Sequence, residues 1–227
     1  MAKPLLKPRV KICCIASVKE AWLAIKYGAS AVGLVSEMPS GPGPIPEALI
    51  AKIARALPPS VSSFLLTSKQ KPSDIVMQHR KCRTSVIQLV DRLKIGDYRK
   101  LREAMPGIGL VQVVHVTGEE AVDEAVAVSP HVNAILLDSG KPDLRVKQLG
   151  GTGRLHDWSL SRRIRETVKV PVFLAGGLNP DNVLEGLNQV QPFGVDVCNG
   201  VRTEDRLDER KLSAFFKAVW SYNPTEL

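Results

Sequence analysis

The sequence predicts a single α/β domain with the architecture of a (β/α)8 barrel. Eight short apolar segments rich in Val, Ile and Leu alternate with eight helical segments over residues 10–220 of the 227-residue chain. Such alternation indicates β-α-β units around a parallel sheet. No linker divides the chain, and its length fits one TIM barrel of ~200–250 residues. An open doubly wound sheet is the alternative, but no G-x-G-x-x-G element follows the first strand.

The first four units are marked by capping and turn residues. Strands are predicted at 10–15, 31–35, 63–66 and 86–89, and helices at 17–26, 46–56, 72–80 and 97–104. Ser17, with Glu20 three residues later, forms a capping box that starts the first helix, and Gly28 ends it. Pro46 suits the first turn of the second helix.

The last four units follow the same pattern. Strands are predicted at 110–116, 133–137, 170–174 and 194–198, and helices at 117–128, 158–168, 179–188 and 208–220. Thr117 and Glu120 form a second capping box, while Asn179 and Pro180 supply an N-cap and a first-turn proline. The domain spans 1–227, with 1–9 expected to be a flexible N-terminal extension and 221–227 a C-terminal tail.

Composition argues against several classes of function. The net charge is +8, but the Lys and Arg residues are scattered and no aromatic residues interleave with them. A small phosphorylated substrate therefore fits better than nucleic acid. The four cysteines show no C-x-x-C or zinc-site spacing, so no metal is expected. Neither a signal peptide nor a membrane span of ~20 apolar residues is recognisable, which favours a cytoplasmic protein without membrane contact.

Asp138 ends the sixth predicted strand and is followed by a loop containing Gly150-Gly151-Thr152-Gly153. Barrel enzymes carry their functional residues just after the strands, and a carboxylate beside backbone amides suits a small anionic substrate. The ordinary alternative is an aspartate that caps its own loop.

Cys13 and Cys14 end the first predicted strand. Because side chains alternate across a strand, Lys11 and Cys13 share the face towards the barrel axis, and Cys14 is expected on the helix side as a small hydrophobe. Cys13 is thus a candidate nucleophile or base at the mouth, although buried cysteines are usually inert. Asp196 in strand eight points inward, and Lys11 on the neighbouring strand is its expected ion-pair partner.

Two glycine-containing segments follow strands seven and eight, namely Gly176-Gly177 and Asn199-Gly200. Barrels frequently bind phosphate at these two positions through backbone amides, where a Cβ atom would block the anion. Ordinary turn glycines are the alternative. His115 ends strand five, but a single histidine is more often structural, and His156 is expected to be exposed without a partner.

Taken together, these features resemble the phosphoribosylanthranilate isomerase family of tryptophan biosynthesis. The matching motifs run from strand one to strand eight: Val10-Lys11-Ile12-Cys13, Ala31-Val32-Gly33, Gln88-Leu89, Leu136-Leu137-Asp138-Ser139, Gly150-Gly151-Thr152-Gly153 with Asp157-Trp158, Gly176-Gly177-Leu178-Asn179-Pro180 and Gly194-Val195-Asp196-Val197 with Gly200-Val201. Each motif is weak alone, whereas the combination is specific and covers nearly the whole chain.

The resemblance implies an Amadori rearrangement of a small phosphorylated aminosugar, without a cofactor, by a monomer or homodimer. Asp138 would be the general acid and Cys13 the general base. Gly176, Gly177, Asn199 and Gly200 would hold the phosphate, and Gly151 and Thr152 would lie in a loop that closes over it.

The chain departs from the family pattern around this machinery. Cys14 replaces the glycine after the catalytic cysteine, Val90 replaces a histidine, and Cys198-Asn199 replaces a serine pair. The loop at 36–44 lacks the family's arginine for the anthranilate carboxylate, a role that Arg92 or Arg202 could take. There are therefore two alternatives. One is a sister isomerase acting on another phosphorylated aminosugar, and the other is a non-catalytic phosphate-binding barrel.

Overall fold

The computed structural model describes residues 7–140 and 156–224. Eight parallel strands close into one barrel in the order of the sequence, with the last strand paired to the first. The strands are β1 (Arg9–Ile12), β2 (Ala31–Val35), β3 (Ser62–Thr67), β4 (Val86–Leu89), β5 (Gly109–His115), β6 (Ala134–Asp138), β7 (Val172–Leu174) and β8 (Gly194–Val197). The predicted (β/α)8 barrel is thereby confirmed.

One helix follows each strand and packs on the outside of the barrel. The helices are α1 (Val18–Tyr27), α2 (Glu47–Ala56), α3 (Pro72–Cys82), α4 (Ile95–Ala104), α5 (Glu120–Val128), α6 (Trp158–Thr167), α7 (Val183–Val190) and α8 (Glu209–Ser221). A turn of 3-10 helix (Asn199–Val201) and a small hairpin, β9 (Arg202–Thr203) with β10 (Arg206–Leu207), connect β8 to α8. None of the described helices is long and apolar enough to cross a membrane.

The hydrophobic core has two layers, because each strand is buried on both faces. Aliphatic side chains fill the space between strands and helices, as where Leu65 of β3 and Ile53 of α2 are fully buried. Inside the barrel, Phe64 and Phe173 meet edge to face with their ring centroids 6.3 Å apart. With so few aromatic residues, Val, Leu and Ile supply most of the burial that stabilises the fold.

The predicted cap of α1 is confirmed, and two further helices begin with an aspartate cap. The side chains of Ser17, Asp157 and Asp208 each accept a hydrogen bond from a backbone amide in the first turn of their helices. Gly28 ends α1 in the left-handed conformation that suits glycine.

Two predicted helix starts are wrong. Thr117 donates its hydroxyl to the Glu120 carboxylate instead of capping an amide, and α5 begins three residues later. Asn179 accepts hydrogen bonds from the amides of Asp181 and Asn182, so it closes a turn, and α7 begins only at Val183. The Thr117 bond competes with the start of the helix. Asn179 makes the amide contacts of an N-cap, but they close a turn that precedes α7.

The predicted N-terminal extension is shorter than expected. Arg9 already belongs to β1, where it pairs with Gly194, and the Lys7 ammonium donates to the carbonyl oxygen of Trp220 at 3.1 Å. Residues 1–6 of the extension and 225–227 of the predicted tail lie outside the described residues.

The first strand is also shorter than predicted, and this changes where Cys14 lies. β1 ends at Ile12, and Cys14 has a φ of 60°, in the left-handed region. This conformation interrupts the alternation of a strand, so Cys14 faces the mouth of the barrel and not the helices. A non-glycine residue in this conformation bears about 1–2 kcal/mol of strain. Glycine, which the resembled family carries at this position, would avoid that strain.

The predicted ion pair between Lys11 and Asp196 lies inside the barrel. Register pairs the two residues directly across β1 and β8, and Lys11 Nζ lies 2.7 Å from Asp196 Oδ2. Lys11 is fully buried and also lies over the Phe64 ring, 5.4 Å from its centroid. Burial alone would lower the pKa of Lys11, but the neighbouring charges of Asp196 and Cys13 raise it above its ordinary value.

We expect Lys11→Met to lower the free energy of unfolding by about 3–5 kcal/mol, because it leaves the Asp196 carboxylate buried without its cation. Urea unfolding measures the change. The double variant Lys11→Met/Asp196→Leu removes both charges and should regain a large part of the loss. A double variant as unstable as the single one would show that the pair is not the source of the effect.

Candidate active site

A cavity of about 300 Å³ opens at the carboxyl ends of the barrel strands. Its wall contains most of the residues singled out from the sequence. They are Cys13, Asp138, Gly176, Gly177, Asp196, Asn199 and Gly200. Gly151 and Thr152, predicted to lie in a loop over this site, fall outside the described residues. The barrel therefore brings the described candidates, which span almost two hundred positions of sequence, to one place.

Asp138 is the last residue of β6, where it pairs in register with His115 of β5. One carboxylate oxygen accepts a hydrogen bond of 2.7 Å from the amide of Ser139. Burial raises the pKa of Asp138, although the nearby His115 and the Ser139 amide act in the opposite direction. A raised pKa favours the protonated carboxyl, which is the form that can donate a proton.

Cys13 follows β1 and is almost completely buried, with its thiol on the cavity wall. A hydrogen bond with the Cys14 side chain and the positive charge of Lys11 lower the pKa of Cys13, although burial opposes them. The same hydrogen bond, together with one to Cys198, raises the pKa of Cys14. These shifts favour the thiolate at Cys13 and the protonated thiol at Cys14.

The loops after β7 and β8 press against each other at the other side of the cavity. A Cβ atom on Gly200 would lie only 2.0 Å from the carbonyl oxygen of Leu178, so no larger residue fits there. Gly176 and Gly177 have φ values of 77° and 67°, and Asn199 begins the turn of 3-10 helix beside them. Bare backbone from two neighbouring loops therefore lines this end of the cavity.

Neither arginine suggested as a carboxylate partner lines this cavity. Arg92 Nε donates to both oxygens of Glu124 at 3.0 Å, outside the barrel mouth. Arg202 is buried, pairs with Glu20, and donates to the backbone carbonyls of Cys13 and Cys14. Arg202 thus holds the turn that carries both cysteines, including the left-handed residue.

The two histidines at this end of the barrel are partnered. His115 is buried, with Nε2 3.0 Å from the carbonyl oxygen of Val90, as expected for a structural histidine. His156 was expected to be exposed without a partner, and that prediction is wrong. Its Nε2 lies 2.7 Å from Ser161 Oγ, and burial lowers the pKa of His156 to about 4.

Two cavity residues, Gln88 and Cys14, were not predicted from the sequence to face the site. Gln88 is buried in β4, lines the cavity, and its carboxamide oxygen has no hydrogen-bond partner among the described residues. An amide on the inner face of an apolar strand was the available signal, because a buried polar group requires a partner and a ligand can supply it. For Cys14 the available signal was that it stands where the resembled family carries glycine, the residue that favours a left-handed backbone.

Among the described residues no cluster of His, Cys, Asp or Glu is arranged to hold a metal ion. What the cavity offers is a carboxyl group, a thiol whose pKa is lowered, and the backbone of glycine-containing loops. This arrangement can move protons on a small anionic molecule.

Comparison with known proteins gives consistent results. Residues 10–218 match the model of a family described as N-(5'-phosphoribosyl)anthranilate (PRA) isomerase. A curated relative from Methanocella arvoryzae with the name N-(5'-phosphoribosyl)anthranilate isomerase is 33% identical over 204 residues, covering 90% of this chain and 93% of the relative.

Solved structures of that enzyme share the fold. The crystal structure from Thermotoga maritima is 30% identical, with a TM-score of 0.81 over 95% of this chain and 100% of that one. Another crystal structure of the enzyme, in complex with reduced 1-(o-carboxyphenylamino)-1-deoxyribulose 5-phosphate, is 28% identical with a TM-score of 0.79, again over 95% and 100% of the two chains.

We expect Cys13 to react with iodoacetamide at a lower pH than an ordinary thiol, whose pKa is about 8.5, because the Cys14 hydrogen bond and Lys11 favour its thiolate. Alkylation rates at a series of pH values, read by peptide mass, test this. Cys82 is the internal control, since burial raises its pKa to about 12. Cys14→Gly should raise the midpoint pH of Cys13 alkylation. An unchanged midpoint would contradict the conclusion that Cys14 lowers the pKa of Cys13.

Proposed function

The chain belongs to the N-(5'-phosphoribosyl)anthranilate isomerase family, and from that premise we propose that it is an isomerase acting on N-(5'-phosphoribosyl)anthranilate, with Asp138 as the general acid and Cys13 as the general base. The product would be 1-(2-carboxyphenylamino)-1-deoxyribulose 5-phosphate. The observation that carries the proposal is that these two groups line one cavity with pKa values shifted in the directions that the chemistry requires.

The reaction needs a proton donor first. In the proposed mechanism Asp138 gives its proton to the furanose ring oxygen while the bond from that oxygen to C1' breaks. The lone pair of the anthranilate nitrogen then forms a C=N bond to C1', which yields an open-chain Schiff base. A carboxyl group whose pKa is raised by burial is suited to this step, because the enzyme must hold it protonated.

The second step needs a base. The Cys13 thiolate would remove the proton from C2' of the Schiff base, and the C=N electrons would return to nitrogen as an enolamine forms. Tautomerisation of the enolamine gives the ketone at C2'. Lys11 supports this role, since its positive charge beneath the thiol favours the thiolate.

The substrate phosphate would bind at the end of the cavity formed by the loops after β7 and β8. Gly176, Gly177, Asn199 and Gly200 present backbone there, at the position where barrel enzymes frequently bind phosphate. Gly151 and Thr152, from the segment between β6 and α6, remain proposed contacts of the phosphate. Binding the phosphate at one end would hold C1' and C2' between the acid and the base, which is how positioning contributes to rate.

One observation favours a second candidate, a sister isomerase for a different phosphorylated aminosugar. The part of the cavity wall formed by the loop after β2 contains Met38, Ser40, Gly41 and Pro42, without a Lys or Arg among the described residues. An anthranilate carboxylate that lacks a cationic partner would lose about 1.5–3 kcal/mol of binding. The same acid and base would serve either substrate.

We expect Cys13→Ala and Asp138→Asn each to lower kcat by about 10²–10⁴-fold, the usual contribution of a general acid or base. KM should change little, because neither group holds the phosphate. Steady-state fluorescence assays with N-(5'-phosphoribosyl)anthranilate measure both constants. Cys82→Ser is the matched control, since Cys82 lies on α3, away from the cavity.

Growth of a tryptophan auxotroph that lacks the isomerase separates the candidates. Rescue by the natural sequence, lost in both active-site variants, supports the proposed substrate. Failure to rescue while the protein still binds phosphate esters would exclude it and leave the sister isomerase or a non-catalytic barrel. Turnover of another aminosugar phosphate would then distinguish these two.

A further inference from the structure

We propose that Cys13, Cys14 and Cys198 at the barrel mouth form a peroxide-responsive modification site, in which Cys13 is oxidised and Cys198 captures it as a reversible disulfide. The inference rests on the proposed function only in taking Cys13 to be a thiolate. It concerns a chemistry that the isomerisation does not use, since the proposed mechanism oxidises no thiol and gives Cys198 no role.

The three thiols lie together although they come from two strands. All three line the same cavity, Cys13 and Cys14 buried and Cys198 partly exposed. A Cβ atom on Gly33 would lie 2.7 Å from Cys13 Sγ, so the absence of a side chain at Gly33 leaves the room that this thiol occupies. The thiols are therefore neighbours in the core of the site, not separate surface cysteines.

Strand register makes Cys13 and Cys198 a suitable pair for a disulfide. Ile12 pairs with Val197, and the Cys13 amide donates to the Val197 carbonyl oxygen at 2.8 Å, so both cysteines directly follow paired residues of adjacent strands. Adjacent strands lie about 4.8 Å apart. This spacing falls within the ~4.4–6.8 Å between Cα atoms that a disulfide spans.

Cys14 is a poorer partner for Cys13. Consecutive Cα atoms are about 3.8 Å apart, which is shorter than disulfide geometry favours. The Cys14 thiol is instead 3.7 Å from the carbonyl oxygen of Pro42. Cys14 contacts the side chains of both Cys13 and Cys198, and its contact with Cys13 lowers the pKa of Cys13. Cys198 is not adjacent to Cys13 in the chain, and the register of β1 and β8 places it within disulfide range of Cys13.

The chemistry has two steps and balances with a hydroperoxide as the oxidant. The Cys13 thiolate attacks the peroxide, the S–O bond forms, the O–O bond breaks, and Cys13 sulfenic acid and hydroxide result. The Cys198 thiol then attacks the sulfenic sulfur, so the S–S bond forms, the S–O bond breaks, and the oxygen leaves as water with the thiol proton. Peroxide accepts two electrons, one from each sulfur.

Hydrogen peroxide treatment of the full chain, followed by peptide mass mapping without reductant, tests the proposal. Because Cys13 and Cys14 share a peptide, the same experiment on Cys14→Gly shows which of them is linked to Cys198. Glycine suits the left-handed conformation at this position, so this variant should fold. Cys82 in each sample is the internal control, since its raised pKa should keep it reduced.

The expected result is a peptide containing Cys13 linked to one containing Cys198, in the natural protein and in Cys14→Gly. Isomerase activity should fall as the link forms and return with dithiothreitol. In Cys198→Ser the link is absent, Cys13 gains two oxygen atoms as sulfinic acid, and dithiothreitol restores little of that variant's own untreated activity.

Three results would overturn the proposal. They are the absence of a linked peptide, its absence from Cys14→Gly even at a pH above the alkylation midpoint of Cys13 in that variant, and full recovery of activity in Cys198→Ser. The first two outcomes are independent of the isomerase assignment, because the link is read by mass. A protein that forms the link but does not turn over N-(5'-phosphoribosyl)anthranilate refutes only the proposed function.

Discussion

The buried ion pair between Lys11 and Asp196 is the interaction on which the mouth of the barrel depends. It joins β1 to β8, the two strands that close the barrel, at the level directly beneath Cys13. A lysine with no exposed surface requires a fixed anion, and the 2.7 Å contact supplies it. The hydrogen bond with Cys14 and the Lys11 ammonium both lower the pKa of the Cys13 thiol, so the pair that closes the barrel also contributes a charge that favours the Cys13 thiolate.

The environments of Asp138 and Cys13 differ in a way that suits opposite roles. Both groups are enclosed, and burial disfavours the charged form of each. For Asp138 burial prevails, which favours a protonated acid. For Cys13 a thiol hydrogen bond and a nearby ammonium prevail, which favours a thiolate. In the proposed mechanism these opposite shifts let one cavity hold a proton donor and a proton acceptor at the same pH.

Cys14 connects this chemistry with the local strain of the backbone. Arg202 donates to the carbonyls of Cys13 and Cys14, and that buried anchor holds Cys14 in its left-handed conformation. The conformation turns the Cys14 thiol into the mouth, towards Cys13 and Cys198. A glycine would adopt this backbone without strain but would donate no hydrogen bond, so the strain is associated with the reactivity of Cys13.

The sequence by itself determined the barrel, the strand faces of Lys11, Cys13 and Asp196, and the strand-end positions of Asp138, Gly176 and Gly200. These follow from period-two alternation and from turn and capping residues, which are local properties of the chain. Only the tertiary structure decided the position of Cys14, the late start of α7 after Asn179, the burial of His156 and the use of Arg202 as a backbone anchor. Each of these depends on contacts between groups distant in sequence or on the conformation of a turn. Such features produce no periodic pattern in the sequence from which they could be predicted.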